Sequence, residues 1–181
     1  MGHLTVLLGC MFAQKTTELL RRIRRYRAIG HNVMVINFKG DTRYGADHII
    51  SHDTDKATAL CVDRLAEVDA LVRLGTHQVV IIDEGQFYPD LHEYVSRWAD
   101  ELHVNIVVAG LDGDSDRHPF GKLLDLIPMA EEVERLSAFC VLCRDGTEAH
   151  FSKCIKVKAT QVDVGGADKY IPVCRHHFLE T

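Results

Sequence analysis

The sequence predicts an α/β fold in which helices flank a parallel sheet, followed by a small second unit at the C-terminus. Apolar runs and helical patterns alternate through about residue 136, as expected for successive strand and helix units. Several of the runs are apolar throughout, which is typical of parallel strands buried on both faces. Beyond Ser137, short β-type runs and closely spaced cysteines replace this alternation. We therefore expect one domain at residues 1–136 and a second at 137–181.

The pattern along the chain predicts each element in turn. The first half is expected to contain a strand at 4–8, a helix at 16–29 stopped by Gly30, a strand at 33–38, a mobile loop at 39–55 and a helix at 56–74, either continuous or broken near Val62. The second half is expected to contain a strand at 78–82, a helix at 89–102, a strand at 104–109, a loop at 110–119 and a helix from about Phe120, bent or split at Pro128. Ligands of such folds bind at the carboxyl ends of the strands.

Composition narrows the class of protein. At 181 residues and 46% hydrophobic content, the chain can bury one good core and a small satellite. The net charge of −5 argues against a polynucleotide partner, which usually meets a basic domain or stripe. Neither a signal-peptide pattern nor an apolar run near the roughly 20 residues of a membrane span is present. We therefore expect a cytoplasmic protein with no membrane partner, whose six cysteines are free thiols or metal ligands.

Residues 9–16, reading GCMFAQKT, lie between the first strand and the first helix, where a phosphate-binding loop belongs. In the pattern GxxxxGK[ST], backbone N–H groups cradle phosphates, the lysine reaches the β/γ oxygens and the hydroxyl holds Mg²⁺. Gly9, Lys15 and Thr16 fit this pattern. Gln14 stands where the pattern has a second glycine, which admits unusual backbone dihedrals and close approach to phosphate. The sequence thus predicts a phosphate loop whose affinity Gln14 lowers or whose backbone it strains.

Two carboxylates, Asp83 and Glu84, follow directly after the most apolar strand. In a Walker B element, Asp83 would orient Mg²⁺ or its waters and Glu84 would take a proton from a nucleophile. The alternative is that both carboxylates simply end a strand in solvent. The phosphate-loop pattern in the same α/β arrangement favours the functional interpretation.

A second constellation pairs Cys140-x-x-Cys143 with Cys174-x-x-His177. Two short chelating turns, about thirty residues apart, can fill the tetrahedron of a structural zinc ion. His176 is an alternative fourth ligand, although the two-residue gap favours His177. The remaining cysteines lack such spacing and are interpreted as ordinary thiols, with Cys10 open to oxidation if it is exposed; they are Cys10, Cys61 and Cys154.

Six stretches of this sequence resemble the thymidine kinase family of the compact, zinc-containing type. They are LTVLLG-CMF-KTTELLRRIRRY from Leu4, DTRY at 41–44, IIDEGQFYPD at 81–90, AGLDGD at 109–114, RHPFG at 117–121 and VGGADKYIPVCRHHF at 164–178. They occur in order, at fitting separations, over nearly the whole chain.

The resemblance implies a P-loop NTPase-like fold that transfers the γ-phosphoryl group of ATP to the 5'-hydroxyl of thymidine or deoxyuridine. The products would be dTMP and ADP, in nucleotide salvage and DNA precursor synthesis. It also implies a lasso loop over the nucleoside, feedback inhibition by dTTP and a homotetramer. Because the zinc ligands lie on both sides of that loop, one zinc ion would fix both of its ends, and zinc removal would weaken substrate binding.

The resemblance also implies roles for individual residues. Glu84 would be the general base, Lys15 would contact the phosphates, and Thr16 and Asp83 would hold Mg²⁺. The other ATP-site positions are Gly9, Cys10, Met11, Phe12, Ala13, Gln14, Asp41, Arg43 and Gln86. Positions around the thymine ring are Met11, Phe87, Leu111 and Phe120, with Ser115 in place of an aromatic residue often found there. Positions on the lasso are Gln161, Val162, Asp163, Val164, Gly165 and Tyr170. Each apolar side chain among these also fits ordinary core packing.

Two other functions remain open on the sequence. One is a nucleotide- or nucleoside-binding relative in which Gln14 has impaired catalysis. The other is a zinc-ribbon nucleic-acid binder, which the acidic balance and the lack of a basic stripe disfavour.

Overall fold

The computed structural model describes residues 1–41, 48–50, 56–156 and 168–180. The strands in this part of the chain are β1 His3–Gly9, β2 Val33–Phe38, β3 His48–Ile50, β4 Lys56–Thr58, β5 Leu60–Val62, β6 Val79–Ile82, β7 Asn105–Gly110, β8 Glu132–Leu136, β9 Ala138–Phe139, β10 Glu148–Ala149, β11 Phe151–Cys154 and β12 Tyr170–Val173. The α-helices are α1 Lys15–Ala28, α2 Asp69–Arg73, α3 Leu91–Asp100 and α4 Arg175–Leu179. No helix among these residues is long and apolar enough to cross a membrane.

A six-stranded parallel sheet in the order β5-β2-β6-β7-β1-β8 forms the centre of the molecule. Alternate side chains of β1 enter two separate apolar clusters: Val6 packs with Trp98 of α3, and Leu7 packs with Leu19 of α1. Strands covered on both faces in this way read as continuous apolar runs, as predicted. The α/β fold with a parallel sheet is therefore confirmed.

Most of the predicted elements agree with the structure to within one or two residues. The strands at 4–8, 33–38, 78–82 and 104–109 correspond to β1, β2, β6 and β7, and the helices at 16–29 and 89–102 correspond to α1 and α3. Gly30 follows α1 with a φ of +81°, a left-handed conformation that ends a helix. These elements carry the candidate site.

The predicted helix at 56–74 is wrong over its first part. Residues 56–58 and 60–62 form β4 and β5, and helical structure begins only with a 3₁₀ turn at Leu65–Val68 that leads into α2. The burial explains the error, since Ala57 and Ala59 are buried while Thr58 and Leu60 are exposed, an alternation with the period of a strand. The loop predicted at 39–55 is likewise wrong at β3, which pairs with β4; residues 42–47 and 51–55 lie outside the described part of the chain.

The predicted helix from Phe120 is also wrong. Only a 3₁₀ helix forms there, at Leu124–Met129, with Pro128 inside it. The edge strand β8 was not predicted, because three of the five residues in its sequence EVERL are charged and Val133 is 43% exposed. An edge strand with one solvent-exposed face lacks the continuous apolar character of the central strands.

Beyond β8, the chain forms two small antiparallel pairs, β9 with β10 and β11 with β12, followed by α4. Short β-type runs were predicted here. They enclose a separate small cluster of buried residues, Cys140, Ala149, Val173 and Cys174, against which Phe151 and Phe178 pack. We call residues 138–156 and 168–180 the zinc unit. The domain boundary between residues 136 and 137 stays a prediction.

Candidate active site

The phosphate loop begins where β1 ends and runs directly into α1. Gly9 lies so close to the neighbouring strand that an added Cβ would be 2.5 Å from the carbonyl oxygen of Leu136. Phe12 and Gln14 both have positive φ angles, of 65° and 59°. Such conformations are uncommon outside glycine and persist where the surrounding structure holds them.

Gln14 is the departure from the pattern, and its backbone explains why glycine is preferred there. The residue caps α1 in the left-handed region, at φ 59° and ψ 29°, with its side chain exposed. For a residue with a Cβ this region is strained by roughly 1–2 kcal/mol. The loop therefore keeps the conformation that glycine favours, and Gln14 bears the strain.

Lys15 is buried, with 9% of its surface exposed. Its Nζ donates to the carbonyl oxygens of Gly9, at 3.1 Å, and Cys10, at 2.8 Å. Burial lowers the pKa of this amine, although the nearby carboxylates of Glu84 and Asp83 act in the opposite direction. The lysine thus lies inside the loop, facing the two acids at the end of β6.

Thr16 connects the first turn of α1 to the end of β6. Its Oγ1 donates to Asp83 Oδ2 over 2.8 Å. Asp83 is buried, and this burial, reinforced by the charge of Glu84, raises the pKa of its carboxyl to about 7. Hydroxyl and carboxylate oxygens are suitable ligands for Mg²⁺, and phosphate-loop enzymes hold the ion with this pair of residue types. The two side chains fit a magnesium site.

Glu84 lies next to Asp83 in a left-handed conformation, at φ 53°. Gln86 Nε2 donates to Glu84 Oε2 over 2.6 Å, and Gln86 Oε1 accepts from the backbone N–H of Leu111 at 3.0 Å. The chain wraps closely around this glutamine, since a Cβ on Gly121 would lie 2.0 Å from the Gln86 carbonyl oxygen. The Glu84 carboxylate is thus held at a fixed place beside the phosphate loop.

An aromatic cluster borders this site. Phe87 stacks on Phe38, with centroids 4.9 Å apart, and meets Phe120 edge-on at 5.4 Å. Phe87 and Phe120 were predicted from the sequence. Phe38 was missed, although its place as the last residue of an apolar strand puts it at the ligand-binding edge of the sheet.

The other residues predicted to contact nucleotide or nucleoside lie on several different elements. Asp41 is buried just beyond β2, Leu111 follows β7, and Tyr170 is buried at the start of β12. The Oγ of Ser115 is buried and finds no hydrogen-bond partner among the described residues. Ala13 is buried within the loop, and Met11 is half-buried. The remaining predicted residues lie outside the described part of the chain; they are Arg43, Gln161, Val162, Asp163, Val164 and Gly165.

The four predicted zinc ligands lie together, with their ligand atoms all within 4.8 Å of one another. The Nδ1 of His177 is 3.5 Å from Cys140 Sγ, 3.3 Å from Cys143 Sγ and 3.4 Å from Cys174 Sγ. Ligands of a tetrahedral zinc ion, each about 2.0–2.3 Å from the metal, are spaced at about 3.3–3.8 Å. Three thiols and one imidazole at this spacing fit structural zinc, with no ligand position left for a substrate.

The structure also decides between the two neighbouring histidines. His177 faces the three thiols, whereas His176 is exposed and its Nε2 pairs with Glu180 Oε1 at 2.8 Å. Burial raises the pKa of the Cys140 thiol. Hydrogen bonds from the backbone N–H groups of Cys174, Cys143 and Leu142 outweigh this effect and lower the pKa to about 6. Such a thiol gives up its proton readily to a metal.

Cys10 does not belong to the cluster of predicted zinc ligands. Its side chain is only 2% exposed, and burial raises the pKa of its thiol. The condition set for its oxidation, an exposed thiol, is therefore not met.

The sequence of this chain is similar to sequences of one known family. A sequence model described as thymidine kinase matches residues 2–178. A thymidine kinase of Oryza sativa subsp. japonica is 42% identical over 99% of this chain and 67% of its own length. Thymidine kinases of Monkeypox virus and Vaccinia virus (strain Western Reserve) are 39% and 38% identical, each over 99% of this chain and 98% of the viral protein.

Proposed function

The chain belongs to the thymidine kinase family, and on that premise we propose that it transfers the γ-phosphoryl group of ATP to the 5'-hydroxyl of thymidine, or of deoxyuridine, to give dTMP and ADP. Family membership identifies a phosphotransferase. The observation that best supports this reaction is the meeting of Lys15, the Thr16–Asp83 pair and Glu84 at one edge of the parallel sheet. These are the parts that phosphoryl transfer to a hydroxyl requires.

On the donor side, the residues neutralise and orient the phosphates. The loop amides and the N-terminus of α1 offer N–H groups to the β- and γ-phosphates, and the Lys15 amine adds a positive charge. The Thr16 hydroxyl and the Asp83 carboxylate would hold Mg²⁺, which would supply positive charge to neutralise the phosphates when bound. Asp41, Gln86 and Arg43 are assigned to the remaining nucleotide contacts, Arg43 from the sequence alone.

On the acceptor side, Glu84 acts as the general base. The 5'-oxygen of the nucleoside forms a bond to the γ-phosphorus while the bond from that phosphorus to the ADP oxygen breaks, and the hydroxyl proton passes to the Glu84 carboxylate. Gln86 holds that carboxylate at 2.6 Å, so it is already oriented when the nucleoside binds.

The thymine ring is assigned to the aromatic cluster of Phe87 and Phe120, and Met11 and Leu111 are assigned to the same pocket on the sequence resemblance. Phe87 packs on Phe38 and Phe120, and together these rings offer a flat apolar surface to a planar base. Ser115 stands where the family often has an aromatic residue, and its buried Oγ, which has no hydrogen-bond partner in the described part of the chain, could bond to a polar edge of the base. Tyr170 and residues 161–165 are assigned to the lasso on the sequence resemblance.

Zinc is assigned a structural role, with Cys140, Cys143, Cys174 and His177 as ligands. The ion would supply cross-linking of residues far apart in the chain and take no part in the chemistry. Cytoplasmic nucleotide salvage for DNA synthesis, inhibition by dTTP and a homotetramer complete the proposal, and they rest on family membership.

A coupled assay of ADP release with thymidine, ATP and Mg²⁺, on protein with zinc bound, tests the reaction. Thymidine-dependent ADP formation is the expected result. Thymidine binding without turnover would instead support the alternative that Gln14 has made the chain a non-catalytic binding protein. Omission of thymidine is the control, because it separates nucleoside phosphorylation from ATP hydrolysis.

A further inference from the structure

The phosphate loop is hydrogen-bonded to the zinc unit, more than a hundred residues away in sequence. The backbone N–H of Met11 donates to Ser152 Oγ over 2.9 Å, and Cys10 Sγ donates to the carbonyl oxygen of Ala149 over 3.3 Å. Ser152 is 5% exposed, Cys10 is 2% exposed and Ala149 is fully buried. The Cys10–Ala149 contact is therefore shielded from water and the Met11–Ser152 bond is partly shielded, which strengthens a hydrogen bond.

A loop of this shape needs external support. Its own backbone hydrogen bond, from Ala13 N to the Cys10 carbonyl oxygen, is long at 3.4 Å. Phe12 and Gln14 hold positive φ angles within the same few residues. Strained backbone of this kind is maintained only when neighbouring groups fix it, and the bond to the Met11 N–H fixes the residue between Cys10 and Phe12.

The contacts lead by short paths to the metal ligands. Ser152 in β11 pairs with Pro172 in β12, two residues before Cys174. Ala149 in β10 pairs with Ala138 in β9, two residues before Cys140. Each strand that contacts the phosphate loop is thus paired with a strand that ends one residue before a predicted zinc ligand.

We propose that Ser152 is a positioning residue for the phosphate donor, through which the zinc unit holds the phosphate loop in its binding conformation. The inference rests on the proposed function, because it assigns the loop to ATP. It gives the zinc unit an effect on the donor site in addition to the effect on the nucleoside that the lasso implies. It also gives a specific task to a hydroxyl that belongs to none of the recognised motifs.

A separate contact keeps the zinc unit docked if the Ser152 bond is lost. The guanidinium carbon of Arg117, in the loop after β7, lies 4.6 Å from the ring centroid of Phe178 and 5.8 Å from that of Phe151. These cation–π contacts join the zinc unit to the main sheet without involving the phosphate loop. Removing the hydroxyl should therefore release the loop locally.

The test compares Ser152→Ala and Ser152→Val with Ser152→Thr, which keeps the hydroxyl and differs from valine by one group. MgADP binding is measured by calorimetry, the KM for ATP and kcat are measured separately, and zinc content is determined for each protein. Loss of one partly buried hydrogen bond should weaken MgADP binding and raise the KM for ATP by about fivefold to tenfold. Ser152→Thr should stay close to the wild type, and zinc content should stay the same in all variants.

Hydrogen exchange provides a readout that does not depend on folding yield or turnover. The amides of residues 9–16 should exchange faster in Ser152→Ala and Ser152→Val than in Ser152→Thr. Ser96→Ala is the matched control, because Ser96 Oγ bonds only to carbonyl oxygens within α3 among the contacts described, at 2.6 and 3.2 Å. It should alter neither the loop amides nor nucleotide affinity.

The outcomes separate this inference from the proposed function. Unchanged MgADP affinity and unchanged loop exchange in Ser152→Ala and Ser152→Val would overturn the positioning role, even if the wild type phosphorylates thymidine. A rise in the KM for thymidine alone would overturn it too and would assign Ser152 to the nucleoside pocket. A wild type that binds no MgADP would refute both proposals.

Discussion

Gln86 holds the carboxylate of Glu84: its Nε2 donates to Glu84 Oε2 over 2.6 Å, while its Oε1 accepts from the Leu111 N–H. The amide of one side chain thus connects the acid at the end of β6 with the loop after β7. A carboxylate fixed in this way can meet the substrate hydroxyl without first losing side-chain entropy.

Glu84→Gln should lower kcat by about 10²- to 10⁴-fold, because the amide cannot accept the proton of the 5'-hydroxyl. Thymidine affinity, measured by calorimetry, should change little, since the amide keeps the size of the side chain. Glu93→Gln, on the exposed surface of α3, is the control and should leave kcat unchanged. Near-normal turnover in Glu84→Gln would remove Glu84 from the role of general base.

Gln14→Gly should stabilise the protein by up to about 1 kcal/mol, because glycine adopts the left-handed conformation without strain and loses part of that gain to its freer unfolded state. The kcat/KM for ATP should change by less than a factor of about three, since the loop already has the conformation that glycine favours. Urea unfolding and steady-state kinetics measure the two effects.

Arg25→Gly, at an exposed position within α1, is the matched control for this substitution and should destabilise the protein by about 1 kcal/mol. A gain above tenfold in kcat/KM for Gln14→Gly would show that the native loop is catalytically impaired. That result would favour the interpretation of the chain as a weakened relative.

His177→Ala should lose most of its bound zinc, whereas His176→Ala should retain it. Only His177 points at the three thiols, and His176 pairs with Glu180 on the surface. Zinc content per chain after dialysis, measured by atomic emission, distinguishes the two variants. Equal zinc content in both would mean that the histidines substitute for each other or that the site is held by the cysteines alone.

Asp83 should contribute a loss of stability to the metal-free protein as the pH rises towards 7. Burial raises the pKa of its carboxyl from an ordinary value of 3.8 to about 7, so the folded state keeps a proton that the unfolded chain releases. The stabilisation is complete below about pH 3.8 and is lost as the pH rises through about 7. Urea unfolding of the wild type and of Asp83→Asn, at several pH values with a chelator present, measures the difference.

In that experiment, wild type should lose stability relative to Asp83→Asn between pH 5 and pH 7.5, because the amide has no proton to release. A constant difference between the two proteins over this window would mean that Asp83 is already ionised throughout it.

Much of the fold could be predicted from sequence because the buried strands are apolar without interruption. β1, β2, β6 and β7 are covered on both faces, and each gives an unambiguous run. The edge strands β5 and β8, by contrast, were not predicted. Residues 56–62 alternate with a period of two but contain alanine, which has high helix propensity. In β8, three of the five residues are charged.

The candidate site was predicted as far as its motifs are local. Lys15, Thr16 and Asp83 were identified from short patterns beside strand ends, and the structure brings them together. The contribution of Ser152 could not be predicted, since it depends on a bond to Met11 across a tertiary contact. The same is true of Gln86, whose hold on Glu84 depends on the way the chain turns after β6.

The strand order has a consequence for the newly made chain. β1 is synthesised before the segments that it contacts, since Leu7 pairs with Ala109 and Glu134 and the Met11 N–H bonds to Ser152. Pairing between segments roughly a hundred residues apart forms slowly and only after the later segment exists. The apolar strand β1 therefore cannot form its native pairs until β7 and β8 have been synthesised. A chain truncated before Asn105 would lack both partner strands of β1 and would therefore expose an apolar strand that is prone to aggregate.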